Sequence, residues 1–211
     1  MSNELIKRIL SSIILIPVAL FFILKGSFLF IFFIIICFFI IAYEWYIMSK
    51  NRSYNIFGFI FLFFSFYAIY KLRINEIDDY WLLLLITSIC VTTDLGGYIF
   101  GKIFNGPKLT KFSPNKTYAG MIGGYLLSII SSVIFVNYIL SEELPFNWLI
   151  FAILVSSISQ LGDIIVSYFK RLSNIKDTGK IIPGHGGLLD RVDGMIFAFP
   201  FSYIIILMDF L

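Results

Sequence analysis

The chain reads as long apolar runs separated by short polar breaks, and nearly all its charge sits in the breaks. A helix crossing a bilayer needs about 20 mainly apolar residues, within a range of about 17–25. On that measure the runs at roughly 9–24, 27–48, 54–71, 80–100, 119–140, 146–170 and 188–211 are seven candidate spans. The first and third are short. Lys25-Gly26 leaves room only for a very tight turn, so the first two spans predict a helical hairpin. The runs do not alternate as barrel strands do, and open sheet edges are not viable in lipid. The pattern therefore predicts an all-α, polytopic membrane protein.

Composition narrows the class. Of 211 residues 59% are apolar and 14% charged, against about 45–50% and about 25% in an ordinary soluble domain. A mean hydropathy of +0.93 with 25 Phe exceeds what a soluble core of 24.3 kDa can hide. A soluble globular enzyme, a disordered chain and a nucleic-acid-binding module are excluded. Cys37 and Cys90 lie inside apolar runs and read as small core residues, not as a disulfide. Lys7 and Arg8 precede an apolar stretch with no small-residue cleavage site, which predicts an uncleaved first span.

The net charge of +3 matters less than its distribution. With the N-terminus in the cytoplasm, the inside breaks hold Lys7, Arg8, Lys50, Arg52, Lys102, Lys108, Lys111, Lys116, Lys170, Arg171, Lys176, Lys180 and Arg191, and the outside ones only Lys25, Lys71 and Arg73. That is 13 against 3 of the 16 basic residues, which predicts an N-in, C-out topology. Residues 1–80 are almost featureless Phe/Ile-rich helix and read as a scaffold. The chemistry concentrates in 81–211, in two inside loops (101–118 and 171–187) and the helix ends beside them.

Three acids, Glu44, Asp94 and Asp163, lie within the runs. An intramembrane carboxylate is costly and points to function by default; the alternative is a structural hydrogen bond to a neighbouring helix. Spans two, four and six all run from outside to inside, and each acid lies late in its span, in the cytoplasmic third. Asp190 and Asp193 open the last run from the same side, one helical turn apart. Five carboxylates thus share one level beside 13 cations. In Thr93-Asp94-Leu95-Gly96-Gly97-Tyr98-Ile99-Phe100-Gly101 the glycines permit close approach of a helix or ligand. Asp163, Ser167 and Lys170 repeat at i, i+4, i+7, placing an acid, a hydroxyl and a base on one face.

The most informative stretch is 167–193. Gly184, Gly186 and Gly187 allow a run of backbone N–H groups to face one concavity just before a helix, an arrangement suited to phosphate. Lys170, Arg171, Lys176 and Lys180 add cations, and Arg191 a planar fork. Aspartates beside so many phosphate binders would repel the ligand unless a divalent cation sat between them, and carboxylates plus phosphate oxygens are the usual Mg²⁺ environment. A basic loop resting on anionic lipid would explain the lysines. It leaves Gly184-His185-Gly186-Gly187 followed by Asp190 and Asp193 unexplained.

This stretch resembles the hallmark pattern of CDP-diacylglycerol synthases (phosphatidate cytidylyltransferases): S-x-x-K-R, K-D, then P-G-H-G-G-x-x-D-R-x-D, with matching spacing. Thr93-Asp94-Leu95-Gly96-Gly97-Tyr98 is similar to the family's T-D-T-G-A-Y, departing at Leu95 and Gly97. Ser113-Pro114-Asn115-Lys116-Thr117-Tyr118-Ala119-Gly120 is similar to S-P-K-K-T-x-E-G, departing at Asn115 and Ala119. Gly123-Gly124 and Gln160-Leu161-Gly162-Asp163 also match, so the resemblance covers about 90–200. It implies a homodimeric, multi-pass enzyme of the cell inner membrane with its active site facing the cytoplasm. The implied reaction joins CTP and phosphatidate to give CDP-diacylglycerol and pyrophosphate. The implied metal site is Mg²⁺ on Asp163, Asp190 and Asp193, with K⁺ as candidate second cation.

On this reading Lys170, Arg171, Lys176, Lys180 and Arg191 bind the triphosphate and the phosphatidate head. Ser167, Asp177, Gly184, Gly186 and Gly187 complete the substrate site, and His185 donates a hydrogen bond to phosphate rather than acting as base. Lys116 is either a nucleotide contact or a solvated basic residue, and Asp94 a cation ligand or a helix-packing acid. Glu44 is left as structural. Two other classes share parts of the pattern. A CTP-using lipid kinase would transfer a γ-phosphoryl group instead, and a transporter would place its acids near the midplane of two matched halves.

Overall fold

The computed structural model describes residues 3–74, 80–111, 113, 115–140, 146–182, 184 and 186–208. Among them the fold is all-α: α1 (Asn3–Lys25), α2 (Ser27–Ser49), α3 (Asn55–Arg73), α4 (Trp81–Phe104), α5 (Tyr118–Ile134), α6 (Phe146–Leu172), α7 (Leu189–Val192) and α8 (Met195–Leu207). A π-helical segment, Phe135–Leu140, prolongs α5. Five helices, Ser27–Ser49, Asn55–Arg73, Trp81–Phe104, Tyr118–Tyr138 and Asn147–Leu172, are long and apolar enough to cross a membrane; Ile13–Lys25 and Met195–Leu207 are shorter apolar stretches.

The breaks between helices have local causes. Gly26, at φ +62°, turns the chain between α1 and α2, where Phe22 and Phe33 stack at 4.8 Å. Asn105 and Gly106, both in the left-handed region, stop α4. The Thr117 hydroxyl accepts the Gly120 N–H at 3.1 Å and so starts α5. The continuous helix expected over 188–211 is interrupted, which corrects that expectation. Asp193 Oδ1 accepts the N–H of Gly194 at 2.9 Å, and α6 presses on the break so closely that a Cβ on Gly194 would lie 2.8 Å from the Ser159 carbonyl oxygen. The 13 residues of α8 rise only about 20 Å, short of a hydrocarbon core of about 30 Å.

Leu85, Ile86, Ile89, Phe151, Ala152, Val155 and Leu189 form the fully buried centre, drawn from α4, α6 and α7. Aliphatic side chains facing out along α1–α3 match an environment of lipid. Both described cysteines are free, as expected. The tightest contact joins α4 to α5 through glycines. A Cβ on Gly96 would fall 2.6 Å from the Gly123 carbonyl carbon and 2.9 Å from Gly124 Cα. Gly97, one residue on, has room: a Cβ there would meet the Gly120 carbonyl oxygen at 3.8 Å, an ordinary van der Waals contact. Gly96→Ala is therefore expected to destabilise the protein by about 1–3 kcal/mol through overpacking, and Gly97→Ala to leave the melting temperature in detergent close to wild type. Equal melting temperatures for the two variants would contradict the packing described.

Candidate active site

Two loops and four helices, α4 to α7, line one polar cavity of about 390 Å³. The first loop, between α4 and α5, folds back on itself: Leu109 N–H donates to the Lys116 carbonyl at 2.8 Å and Tyr118 N–H to Pro107 at 3.2 Å. That turn presents Lys116 to the cavity, where its ammonium pairs with Asp163 Oδ2 on α6. Ser167, one turn further along α6, donates to Asp163 Oδ1 at 3.3 Å, and Lys170 at the next turn reaches Asp190 Oδ1 at 2.8 Å. The i, i+4, i+7 face expected from the sequence is thus assembled. Asp94 from α4 and Asp177, Asp190, Arg191 and Asp193 from the second loop and α7 also line the cavity.

Asp190 is the hub of the second loop. Its Oδ2 accepts the Thr178 N–H at 2.7 Å, the Thr178 hydroxyl at 3.0 Å and the Gly187 N–H at 3.0 Å, while Oδ1 takes Lys170. Burial alone would raise its carboxyl. The Lys170 ammonium and the two N–H donors outweigh burial and hold it below the ordinary carboxylate range. Asp193 is the opposite case. Burial and then Asp163 push its carboxyl well up, with Asp94 adding to the effect and Lys170 and Lys116 opposing it.

Other expected residues lie elsewhere. Arg171, Lys176 and Lys180 are exposed and outside the cavity lining. Arg171 donates to the Ile175 carbonyl at 3.3 Å, shaping the loop. Gly184 is exposed; Gly186 pairs with Ile182 in an isolated β-bridge, its carbonyl accepting at 2.9 Å. His185 falls outside the described residues. Of the three glycines expected to form a phosphate nest, Gly187 gives its N–H to Asp190, and the next two residues, Leu188 and Leu189, give theirs to Glu44.

Glu44, left as structural in the sequence reading, meets Thr178, a residue that reading did not single out. Glu44, on α2 and 1% exposed, accepts Leu188 N–H at 2.9 Å, Leu189 N–H at 2.8 Å and the Thr178 hydroxyl at 3.2 Å. The signal available was its cost, a carboxylate inside an apolar helix.

The donor set has the chemistry for a hard divalent cation: hard oxygens, clustered negative charge and a carboxyl raised by burial and then by neighbouring acids. Among the described residues no three acidic, His or Cys side chains stand close enough to cage a metal by themselves. That fits Mg²⁺ bound by one or two carboxylates and completed by substrate phosphates.

A model described as the cytidylyltransferase family matches residues 6–86 and 56–209 in overlapping segments. Curated relatives named phosphatidate cytidylyltransferase include one from Rickettsia bellii, 36% identical over 213 residues, covering 96% of this chain and 91% of that protein. One from Brucella suis is 32% identical over 171 residues, covering 80% of this chain and 61% of that protein. One from Bacillus subtilis is 37% identical over 141 residues, covering 65% and 52%. The chain spans 61% of the length of the Brucella relative.

Proposed function

The chain belongs to the cytidylyltransferase family, and from that premise we propose that it is a phosphatidate cytidylyltransferase of phospholipid biosynthesis. A phosphatidate phosphate oxygen attacks the α-phosphorus of CTP in line. The bond from that phosphorus to the β-phosphate bridging oxygen breaks, and pyrophosphate leaves. The observation that carries this reading is the convergence of Asp94, Lys116, Asp163, Lys170, Asp190, Arg191 and Asp193 on one cavity.

Phosphoryl-type transfer depends mainly on positioning and charge neutralisation. A phosphate monoester has a second pKa of about 6, so the nucleophile is already ionised near pH 7 and no strong base is required. Lys116, Lys170 and Arg191 neutralise and orient the phosphates inside the cavity, while the exposed Arg171, Lys176 and Lys180 attract the anionic substrates from solution. One or two of the carboxylates of Asp163, Asp190 and Asp193 would hold Mg²⁺, completed by substrate phosphate oxygens; K⁺ is the second cation in our reading. Bound there, Mg²⁺ would offset phosphate charge and polarise the α-phosphoryl group.

The protein in this reading is a multi-pass homodimer in the inner membrane with a cytoplasmic N-terminus. The 13-to-3 basic asymmetry supports cytoplasmic placement of both loops. The acyl chains of phosphatidate stay in the bilayer and approach from the side.

Membrane vesicles carrying the protein test chemistry and orientation together. Given phosphatidate and Mg²⁺, sealed inside-out vesicles should move label from cytosine-labelled CTP into lipid, and sealed right-side-out vesicles should not. Label reaching lipid only from the γ-phosphate would make the protein a lipid kinase. Labelling confined to right-side-out vesicles would reverse the topology.

A further inference from the structure

Glu44 comes from the half of the chain that otherwise lacks chemistry, yet all its partners lie 134–145 residues away in the second loop and α7. Its head group sits between two glycines: a Cβ on Gly179 would lie 2.7 Å from Oε1, and one on Gly187 would lie 2.6 Å from Oε2. Every partner is an N–H or O–H group of the loop. The Thr178 hydroxyl, itself 4% exposed, stands between two carboxylates, 3.0 Å from Asp190 Oδ2 and 3.2 Å from Glu44 Oε2, with one proton to donate.

We propose that Glu44 is a positioning residue for the reaction: it clamps the turn 178–189 to α2 and thereby sets where Asp190, and through it Lys170, meets the phosphates. The backbone N–H groups at 187–189 divide between the two acids, Gly187 to Asp190 and Leu188 and Leu189 to Glu44. Asp190 alone would tie the loop only to itself and to α6. Glu44 adds the tie to a separate helix, reinforced where Ser173 Oγ donates to the Met48 carbonyl at 2.6 Å and Arg52 to the Leu172 carbonyl at 3.2 Å. A buried carboxylate satisfied by two backbone N–H groups and a shared hydroxyl costs far less than a bare one. The residue therefore functions as an internal anion that occupies the turn before substrate arrives.

This inference rests on the cytidylyltransferase reading for its kinetic part and on geometry alone for its structural part, and the test separates them. Glu44→Gln keeps the shape but replaces one acceptor oxygen by a donor facing a backbone N–H. Amide hydrogen exchange of the purified protein without substrate should accelerate about tenfold or more within 178–189 and stay unchanged in α4 and α5. In parallel kcat should fall about ten- to a hundredfold, the scale on which ångström-level misplacement of reacting groups acts, with KM for CTP within about twofold of wild type. Unchanged exchange in 178–189 overturns the clamp, and a wild-type kcat despite faster exchange overturns the positioning role. If exchange rises throughout the molecule, Thr178→Val, which removes only the hydroxyl shared by the two acids, decides the matter. Lower kcat at unchanged KM supports the proposal and wild-type kcat overturns it. A wild-type protein that makes no CDP-diacylglycerol defeats the activity assigned above, while the exchange result still judges the clamp.

Discussion

Replacing Asp163 by Asn is expected to lower kcat by about a thousandfold while leaving a folded, membrane-inserted protein. The side chain lies where α6 faces the first loop, and both its oxygens are engaged, one by Ser167 and one by Lys116. Asn keeps an acceptor for the hydroxyl and loses the charge. If that charge helps to hold a cation that stabilises the transition state by several kcal/mol, removing about 4 kcal/mol costs about three decades in rate at 1.36 kcal/mol per decade. Stability should change little, because Asp163 is partly exposed and its pair with Lys116 is screened. The measurement is kcat at saturating CTP across a Mg²⁺ titration. Near-wild-type turnover at limiting Mg²⁺ would remove Asp163 from the metal site.

The second large effect concerns stability. Lys170 and Asp190 form a pair whose side chains are 11% and 3% exposed. Breaking a buried pair from one side leaves an uncompensated charge and costs about 3 kcal/mol or more. Lys170→Met should therefore lower the melting temperature by roughly 6–12 °C in a chain of this size. Adding Asp190→Asn should restore part of the loss, since the amide oxygen still accepts the Thr178 and Gly187 N–H groups; strict additivity would mean that the pair contributes nothing. The pH dependence has a definite sign. The folded-state carboxyl of Asp190 is depressed, so its contribution is complete above the unfolded value of about 3.9 and fades as pH falls through the lower folded value. Melting temperatures of wild type and Lys170→Met should draw together progressively as pH falls from about 4.

Much of the site was legible because helical spacing reports which residues share a face. Asp163, Ser167 and Lys170 needed only the period of α6, and the loop motif fixed Asp190, Arg191 and Asp193 by number. The break before α8 was not legible. Residues 188–211 are apolar enough for one span, and the interruption depends on a carboxylate turning back on its neighbour's N–H and on pressure from Ser159. Hydropathy registers neither. Glu44 was visible as an anomaly but not as a partner, because backbone N–H groups at 188 and 189 carry no side-chain signature and lie more than 140 residues away. Reading Gly184, Gly186 and Gly187 as a phosphate nest did not foresee that the Gly187 N–H is taken by Asp190.

The glycine seam between α4 and α5 limits how the cavity can breathe. Where backbone meets backbone, as at Gly96 against Gly123, neither helix can slide or roll without collision, and no side-chain rotation can relieve it. Asp94 and Lys116, mounted on that pair and the loop joining it, therefore behave as one fixed jamb. The opposite wall is held instead by hydrogen bonds from Thr178, Gly187, Leu188 and Leu189 to two acids. On the proposed reading, a nucleotide in the cavity would meet one wall set by backbone packing and another set by hydrogen bonds.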